Sequence, residues 1–142
     1  MAIKVKTEHL AQIKRHGEET YPHECCGFLL GERVGETNLI HEVYPGENER
    51  ADSRHNRYLI TTEQSKRADA YARSRKLGVI GYYHSHPDHP AAPSRYDLDH
   101  SCWPGESYVI VSIEQGKAAA LNSFTKPDYT RFEQEEILVE DC

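Results

Sequence analysis

The sequence lacks the cysteine patterns that indicate a disulfide framework or a zinc knuckle. It contains four cysteines, of which Cys25 and Cys26 are neighbours, and no CxxC pair occurs. Adjacent cysteines do not readily bridge each other, whereas disulfide-stabilised domains carry several spaced pairs. We therefore expect neither feature, and this composition fits a protein of the reducing cytoplasm.

Long apolar runs and basic patches are missing as well. No segment approaches the roughly 18 consecutive apolar residues that a membrane helix requires, and the opening MAIKVKTEHL has no apolar signal segment. The formal net charge is −6, and the densest basic stretch, residues 66–76, is typical of a solvated helix face. We therefore expect no membrane insertion and no nucleic-acid partner.

The composition that is present is that of an ordinary folded protein. Hydrophobic residues make up 37% and charged residues 28% of 142 positions. A chain of this length fits one domain and buries enough apolar surface to fold without a disulfide or a structural metal. We expect residues 1–142 to form a single domain, in which a metal would serve chemistry rather than folding.

Helix and strand patterns alternate along the chain and predict an α/β domain with one mixed sheet between helices. Amphipathic or capped segments indicate helices, and short apolar runs bounded by turns indicate strands. The predicted helices cover residues 7–18, 63–77 and 94–101, and the predicted strands cover residues 25–30, 39–44, 57–60, 79–83, 108–113, 117–124 and 129–139. Thr61 followed by Gln64 predicts a capping box at the start of the second helix, and Gly78 is the predicted left-handed residue at its end.

A group of histidines begins where one of these strands ends. Of nine histidines, four fall in one stretch, and His84 and His86 are two residues apart. A strand that continues through them places both imidazoles on one face, because side chains alternate with a period of two. Two imidazole nitrogens on one face can bind one zinc ion at about 2.0–2.1 Å. Alone, such a pair is also typical of surface histidines at a strand end.

Asp97 is the candidate third ligand. It follows a loop with three prolines, residues 87–93, at the start of a predicted helix. Two histidines and one carboxylate leave the fourth tetrahedral position for water, as in catalytic zinc sites. Ser94 with an acidic residue three positions later also resembles a capping box. Asp97 therefore has two interpretations, as a metal ligand and as a helix cap.

A zinc site that activates water also needs a general base. Glu24 lies just before the first apolar strand and after Pro22, at a strand edge. Sequence position alone does not bring Glu24 next to the metal. Glu18, Glu19 and Glu32 remain competitors, and an ordinary surface carboxylate remains the alternative for Glu24 itself.

Two segments together resemble a known family. Residues 84–87 (HSHP) and 94–97 (SRYD) are similar to the JAMM (MPN-plus) metalloprotease motif HxHPx₆SxxD. Residues 22–31 (PHECCGFLLG) are similar to the segment of that family in which a Glu precedes a CGxLxG strand. All motif residues occur in the right order and spacing, and the resemblance spans roughly residues 20–113.

The resemblance implies a fold, a cofactor and a chemistry. It implies a cytidine-deaminase-like, three-layer α/β/α sandwich with one Zn²⁺ ion. His84, His86 and Asp97 would be the metal ligands, Glu24 the general acid/base and Ser94 the donor that stabilises the oxyanion. Zinc lowers the pKa of bound water from 15.7 towards about 7, and Glu24 would pass the water proton to the leaving amine. The cysteines would be packing residues or spectators.

The resemblance also implies a substrate class. The stretch HSHPDHPAAPS and the following Trp103 and Pro104 are similar to the short, stand-alone prokaryotic branch of the family. This implies hydrolysis of a peptide or isopeptide bond at the C-terminus of a ubiquitin-like sulfur-carrier protein. The loop of residues 45–56, with Arg50, Arg54 and the following Arg57, would contact that tail or be an ordinary solvated loop. Trp103 would pack in the core or form part of the contact surface.

Two alternatives from other classes stay open. The first is a non-catalytic MPN-type scaffold that binds partners; such proteins typically lose metal ligands, and this sequence keeps them. The second is deaminase-like chemistry on a small base, since the implied fold is related. That chemistry usually accompanies zinc held by a PCxxC motif, which does not occur here.

Overall fold

The computed structural model describes residues 1–48, 60–100 and 105–141, and only the backbone of residues 99 and 100. The expectations for Arg50, Arg54, Arg57, Cys102 and Trp103 lie outside the described residues, as does most of the predicted strand 57–60. In the described ranges the elements are β1 (Ala2–Val5), α1 (Thr7–Thr20), β2 (Cys26–Val34), β3 (Thr37–Pro45), α2 (Thr62–Ser74), β4 (Gly78–Pro87), α3 (Arg95–His100), β5 (Ser107–Glu114), β6 (Lys117–Asp128) and β7 (Arg131–Val139).

The strands form one closed mixed barrel in the order β1-β3-β2-β4-β5-β6-β7. Strand β1 runs parallel to both β3 and β7, and β4 runs parallel to β5. The remaining neighbours, β2 with β3 and β4, and β6 with β5 and β7, are antiparallel. Among the described helices, none has the length and apolar character needed to cross a membrane.

The predicted cytidine-deaminase-like, three-layer α/β/α sandwich is wrong, because the sheet closes on itself. Closure depends on β1, which sequence analysis missed. Lys4 of β1 pairs with Leu39 of β3 on one side and with Leu138 of β7 on the other. Four residues are too few for a periodic signal, and the partners that make this segment a strand lie far away in the chain.

Adjacent residues of the central strands β2 and β4 point to opposite faces of the sheet. Leu29 and Tyr83 pack with Ile13 of α1 in the main core. Phe28 and Tyr82 belong to a second cluster that packs under α2. We call these the α1 face and the α2 face of the sheet. The main core consists of Ile3, Val5, Ile13, Cys25, Leu29, Ile40, Val43, Tyr83, Val109, Val111 and Ile113.

The C-terminus of α2 differs from the prediction, which placed the left-handed residue at Gly78. The helix ends at Ser74, and the left-handed residue is Lys76, with φ of 60°. The Leu77 N–H then bonds to the Ala72 carbonyl at 2.8 Å. This six-to-one bond is the signature of a Schellman motif. Gly78 instead opens β4.

The other predicted elements of the described residues correspond to observed ones. The strands are longer than expected except β7, which begins two residues after the predicted start at residue 129. The apolar run 79–83 is the middle of β4, which continues to Pro87. The apolar pattern ends before the strand does. Residues 84–86 of β4 are polar, and they still pair with β5. The predicted start of α2 is confirmed, since the Thr61 hydroxyl accepts from the Gln64 N–H at 3.3 Å.

Candidate metal centre

Strand β4 carries His84 and His86 side by side on the α2 face. Both side chains are buried, with exposed fractions of 3% and 7%. Their Nε2 atoms lie 3.1 Å apart. The strand continues through both residues, so the alternation of side chains points both imidazoles the same way.

Helix α3 brings the third group to these imidazoles. Asp97 lies in the first turn of α3 and is 3% exposed. Its Oδ1 lies 3.1 Å from Nε2 of His84, and its Oδ2 lies 3.1 Å from Nε2 of His86. Within the described residues, His84, His86 and Asp97 are the group whose donor atoms lie within 4.8 Å of one another and could hold a metal ion.

The Asp97 carboxylate also caps the helix that carries it. Oδ2 of Asp97 accepts from the Ser94 N–H at 2.8 Å, and the Ser94 hydroxyl accepts from the Asp97 N–H at 3.1 Å. These reciprocal bonds form a capping box. The two interpretations of Asp97 are therefore compatible, because the cap holds the carboxylate in the orientation that faces the histidines.

The loop after β4 sets the tautomer of His86. Nδ1 of His86 lies 2.9 Å from the Pro90 carbonyl oxygen. A carbonyl only accepts, so Nδ1 carries the proton and Nε2 keeps its lone pair towards Asp97 and His84. The loop is held in place by Ser112, which donates to the His89 carbonyl at 2.6 Å, and by Asn122, which donates to the Ala91 carbonyl at 3.0 Å.

The three side chains shift one another's pKa values. Burial lowers the pKa of His84, and the Asp97 charge opposes this only in part. Burial also acts to lower the pKa of His86, but the hydrogen bond and charge of Asp97 outweigh it and raise that pKa. Burial acts to raise the pKa of Asp97, yet the two imidazoles hold it well below its usual range. Asp97 is therefore an ionised carboxylate, as metal binding requires.

The pairing of β2 with β4 brings the segment of Glu24 to the same place. Cys26 is the partner of His84 in the antiparallel register. Beyond it, Ser85 donates its N–H to the Cys25 carbonyl at 3.2 Å, so the pairing continues towards Glu24. Because side chains alternate along a strand, Glu24 lies on the α2 face with Cys26, next to His86.

Glu24 faces a cavity at the metal centre. The cavity has a volume of about 530 Å³ and is lined by Glu24, His86 and Ser94, among others. Glu24 is 4% exposed, whereas the competing Glu18, Glu19 and Glu32 are exposed. Burial beside the histidines thus separates Glu24 from the other glutamates.

The described cysteines are buried thiols. Cys25 and Cys26 are both buried, and neither forms a disulfide within the described residues. Burial raises the pKa of Cys25 to about 12, although a hydrogen bond with the Ser85 side chain opposes this increase in part. Nucleophilic cysteines require a thiolate, so Cys25 is protonated and unreactive at neutral pH. Cys142, like Cys102, lies outside the described residues.

Two residues that sequence analysis did not assign to the site hold the backbone around Glu24. Ser85 points to the α1 face, and its hydroxyl accepts from the Cys25 N–H at 2.8 Å. Asn48 donates its side-chain amide to the Glu24 carbonyl at 3.1 Å. The alternation along β4 already places Ser85 opposite the histidines. No sequence signal identifies Asn48, because its partner is a main-chain atom distant in sequence.

The barrel, the buried pair of histidines with Asp97 and the adjacent Glu24 define a protein with a candidate open metal centre of two imidazoles and one carboxylate. The chain belongs to the family of prokaryotic homologs of the JAB domain, whose model matches residues 6–125. The family resemblance inferred from the sequence motifs is therefore confirmed.

A curated relative and three solved structures extend this comparison. The chain is 32% identical over 91 residues to the desampylase of Haloferax volcanii, a match that covers 64% of this chain and 63% of that protein. The match thus spans less than two thirds of the length of that relative.

A solution structure from Salinibacter ruber is 41% identical with a TM-score of 0.77, covering 97% of this chain and 92% of that one. One from Desulfitobacterium hafniense is 28% identical with a TM-score of 0.86, covering 99% and 94%. The crystal structure of a JAB1/MPN domain protein from Archaeoglobus fulgidus, 19% identical and covering 98% of both chains, shares the fold with a TM-score of 0.63.

Proposed function

We propose that this single-domain protein is a zinc-dependent metallopeptidase of the cytoplasm. It hydrolyses a peptide or isopeptide bond at the C-terminus of a ubiquitin-like protein of the sulfur-carrier type. The observation that carries the proposal is the convergence of His84, His86 and Asp97 at 3.1 Å beside the buried Glu24. The similarity to a desampylase supports a JAB-type isopeptidase that acts on a ubiquitin-like modifier.

Zinc fits the donor set of this centre. Two imidazole nitrogens and one carboxylate are the ligands of many catalytic zinc sites and leave a coordination position open. The proton of His86 is on Nδ1, bound to the Pro90 carbonyl, so its Nε2 is available. When bound, zinc supplies a water that ionises near neutral pH and a Lewis acid for the scissile carbonyl. Similar donors also bind non-haem Fe(II), so the bound metal has to be measured.

Glu24 acts as the general base and then as the general acid. Its carboxylate is buried and lines the same cavity as His86. It accepts a proton from the attacking water and gives it to the amine that leaves, so that one proton moves from water to product nitrogen. A carboxylate contributes to the rate by general acid–base catalysis when it lies within hydrogen-bond distance of the proton that it transfers.

Ser94 stabilises the negative charge on the carbonyl oxygen. Its hydroxyl oxygen accepts from the Asp97 N–H, which leaves the hydroxyl proton to be donated to the substrate. Ser94 lines the cavity together with Glu24. The capping box holds this hydroxyl in place before the substrate arrives, and such preorganised donors stabilise an oxyanion most effectively.

The shape of the cavity supports a tail without bulky side chains as the substrate segment. Pro90, Ala92 and Pro93 line its wall next to Ser94. A rigid loop of this kind admits an extended glycine tail, which brings no side chain that would clash. A ubiquitin-like protein that ends in two glycines meets this requirement. Cys25 and Cys26, which are buried and form no disulfide within the described residues, fit a reducing compartment.

Elemental analysis tests the metal centre. Protein purified without chelator should contain about one zinc per chain, as expected for a mononuclear site. The double variant His84→Ala/His86→Ala should contain none, whereas the control variant His41→Ala, at an exposed position, should keep the metal. Zinc retained by the double variant, or iron in place of zinc, would contradict the assignment. A non-catalytic scaffold would show no metal-dependent cleavage of any substrate.

Cleavage of a defined substrate tests the reaction. The substrates are the host's small ubiquitin-like proteins with C-terminal extensions, and the products are identified by mass spectrometry. Glu24→Gln should keep zinc and lose activity by about 10³-fold, because it removes the acid/base. Glu32→Gln, at an exposed position of β2, should retain full activity. Unimpaired turnover by Glu24→Gln would remove Glu24 from this role.

A further inference from the structure

Asp88, at the tip of the turn after β4, connects three segments of the chain. Its Oδ2 accepts from the Tyr21 hydroxyl at 2.6 Å, and its Oδ1 accepts from the Gln115 N–H at 2.7 Å. Its own N–H donates to the Ile113 carbonyl at 2.7 Å. Both carboxylate oxygens are therefore engaged, one by the segment after α1 and one by the β5–β6 turn. An exposed acidic residue with this many directed bonds has a structural task.

On one side of this connection lies the segment that leads to Glu24. Tyr21 follows α1, and its ring packs against the main core. Between Tyr21 and Glu24, the His23 N–H bonds to the Thr20 carbonyl at 2.8 Å, and the Thr20 hydroxyl donates to the His23 carbonyl at 3.0 Å. This short hydrogen-bonded turn connects Tyr21 to Glu24, three residues further on.

On the other side lies the loop that orients His86. Asp88 is two residues from His86 and two from Pro90, whose carbonyl accepts from Nδ1 of His86. Its φ of 57° is in the left-handed region, which aspartate and asparagine adopt more readily than most residues. The Asp88 bonds thus stabilise a turn on which the orientation of a candidate metal ligand depends.

We propose that Tyr21 and Asp88 form a clamp that sets the position of the Glu24 carboxylate relative to the ligand loop of His86. The inference rests on the proposed function, in which Glu24 moves the proton. Neither Tyr21 nor Asp88 lines the cavity with Glu24, so both are positioning residues. A base displaced by a fraction of an ångström loses its reach for the water proton, and a 1 Å error can cost about 100-fold in rate.

Tyr21→Phe is the sharpest test, because it removes one hydroxyl and keeps the packed ring. We expect kcat to fall about tenfold with KM within about twofold, and the zinc content to stay unchanged. The matched control is Tyr71→Phe, which removes the hydrogen bond from a tyrosine of α2 to the Glu42 carboxylate of β3. It should lower the melting temperature to a similar extent and leave kcat unchanged.

Two substitutions of Asp88 test the other half of the clamp. Asp88→Asn keeps an oxygen for the Gln115 amide and an amide that can bond to the Tyr21 hydroxyl, and it tolerates the left-handed conformation. Asp88→Ala loses both bonds. We expect Asp88→Asn to retain most of the activity and Asp88→Ala to lose about tenfold or more in kcat. Equal activity of these two variants would overturn the proposal.

Amide hydrogen exchange gives a readout that needs no substrate. In zinc-loaded Tyr21→Phe, the His23 and Cys25 amides should exchange about tenfold faster than in the unsubstituted protein, and in Tyr71→Phe they should not. Unchanged exchange, or an equal loss of kcat in both tyrosine variants, would overturn the clamp. If the unsubstituted protein cleaves no substrate, the proposed function fails, and the exchange rates still decide whether the clamp holds the Glu24 segment.

Discussion

The two faces of strand β4 use polar groups in opposite ways. On the α1 face, the buried Tyr83 directs its hydroxyl to Nδ1 of His16 at 2.7 Å, and Ser85 bonds to the backbone of Cys25. Donor meets acceptor at each of these contacts. On the α2 face, the Nε2 atoms of His84 and His86 converge with a carboxylate on one point. One face stabilises the fold, and the other gathers donor atoms that could hold a metal ion.

This difference shows how one strand can carry structure and reactivity together. Alternation assigns successive residues to two environments that do not mix. The α1 face is covered by α1, and its buried side chains form the main core. The α2 face beyond Tyr82 opens into the cavity that Glu24 and Ser94 line. Substitutions on the two faces should therefore have separable effects, on stability or on metal binding.

The largest effect is expected from Asp97→Asn on the α2 face. Asparagine keeps an oxygen for the Ser94 N–H, so the cap of α3 is retained, but the negative charge available to a bound ion is lost. We expect zinc affinity to fall by more than the roughly 100-fold that loss of an outer-shell partner costs. Competitive zinc titration of the folded variant measures this. Normal zinc binding by this variant would contradict the assignment of metal binding to the α2 face.

Gly27→Ala should affect the α1 face and leave the metal centre alone. Gly27 pairs with Tyr83, and a Cβ at position 27 would lie 2.3 Å from Cε1 of the Tyr83 ring. Because the Tyr83 ring is fully buried, it cannot shift into solvent to avoid this contact. We expect the free energy of unfolding to fall by about 3 kcal/mol, as overpacking does in other cores. Chemical denaturation measures the loss, and the zinc content of the folded protein should stay unchanged.

The control for this substitution is Gly78→Ala. A Cβ at position 78 would meet no atom within 4 Å, and the residue does not adopt a left-handed conformation. Its stability should match or slightly exceed that of the unsubstituted protein, because alanine has less conformational freedom in the unfolded chain. A similar loss in both variants would mean that the Tyr83 ring is not the cause.

The smallest effect is a pH dependence that originates on the α1 face. Burial lowers the pKa of His16 from 6.5, with Glu19 opposing this in part. Below the unfolded value of 6.5 the unfolded chain binds the proton more readily than the folded one, so stability is lost as the pH falls. Because His16 is only half-buried, the slope should stay well below the roughly 1.4 kcal/mol per pH unit that one full proton sets.

His16→Gln isolates this contribution. Denaturation of both proteins in chelator between about pH 5 and about pH 8 should show a shallower decline for the variant. The other histidines titrate in both proteins and cancel in the difference. Parallel pH profiles would show that His16 binds its proton equally well in the folded and unfolded states.

Local sequence patterns anticipated the groups at the centre better than they anticipated the architecture. The spacing of His84 and His86 implies one face of a strand, and the segment from Ser94 to Asp97 contains the capping box within four residues. Interactions at this range depend on the local dihedral angles, which sequence patterns report. The prediction of a sandwich failed at β1, whose two partners lie about 35 and 134 residues along the chain.

What the sequence determined by itself was the alternation along β4, the family motifs and the identity of the candidate metal ligands and of the candidate base. Only the tertiary structure decided that Glu24 lies beside His86, that the sheet closes into a barrel, and that Asp88 joins the segment of Tyr21 to the loop of His86. The physical reason is range. Dihedral preferences and capping act over a few neighbouring residues, whereas strand register, burial and cross-chain hydrogen bonds exist only after distant segments have packed.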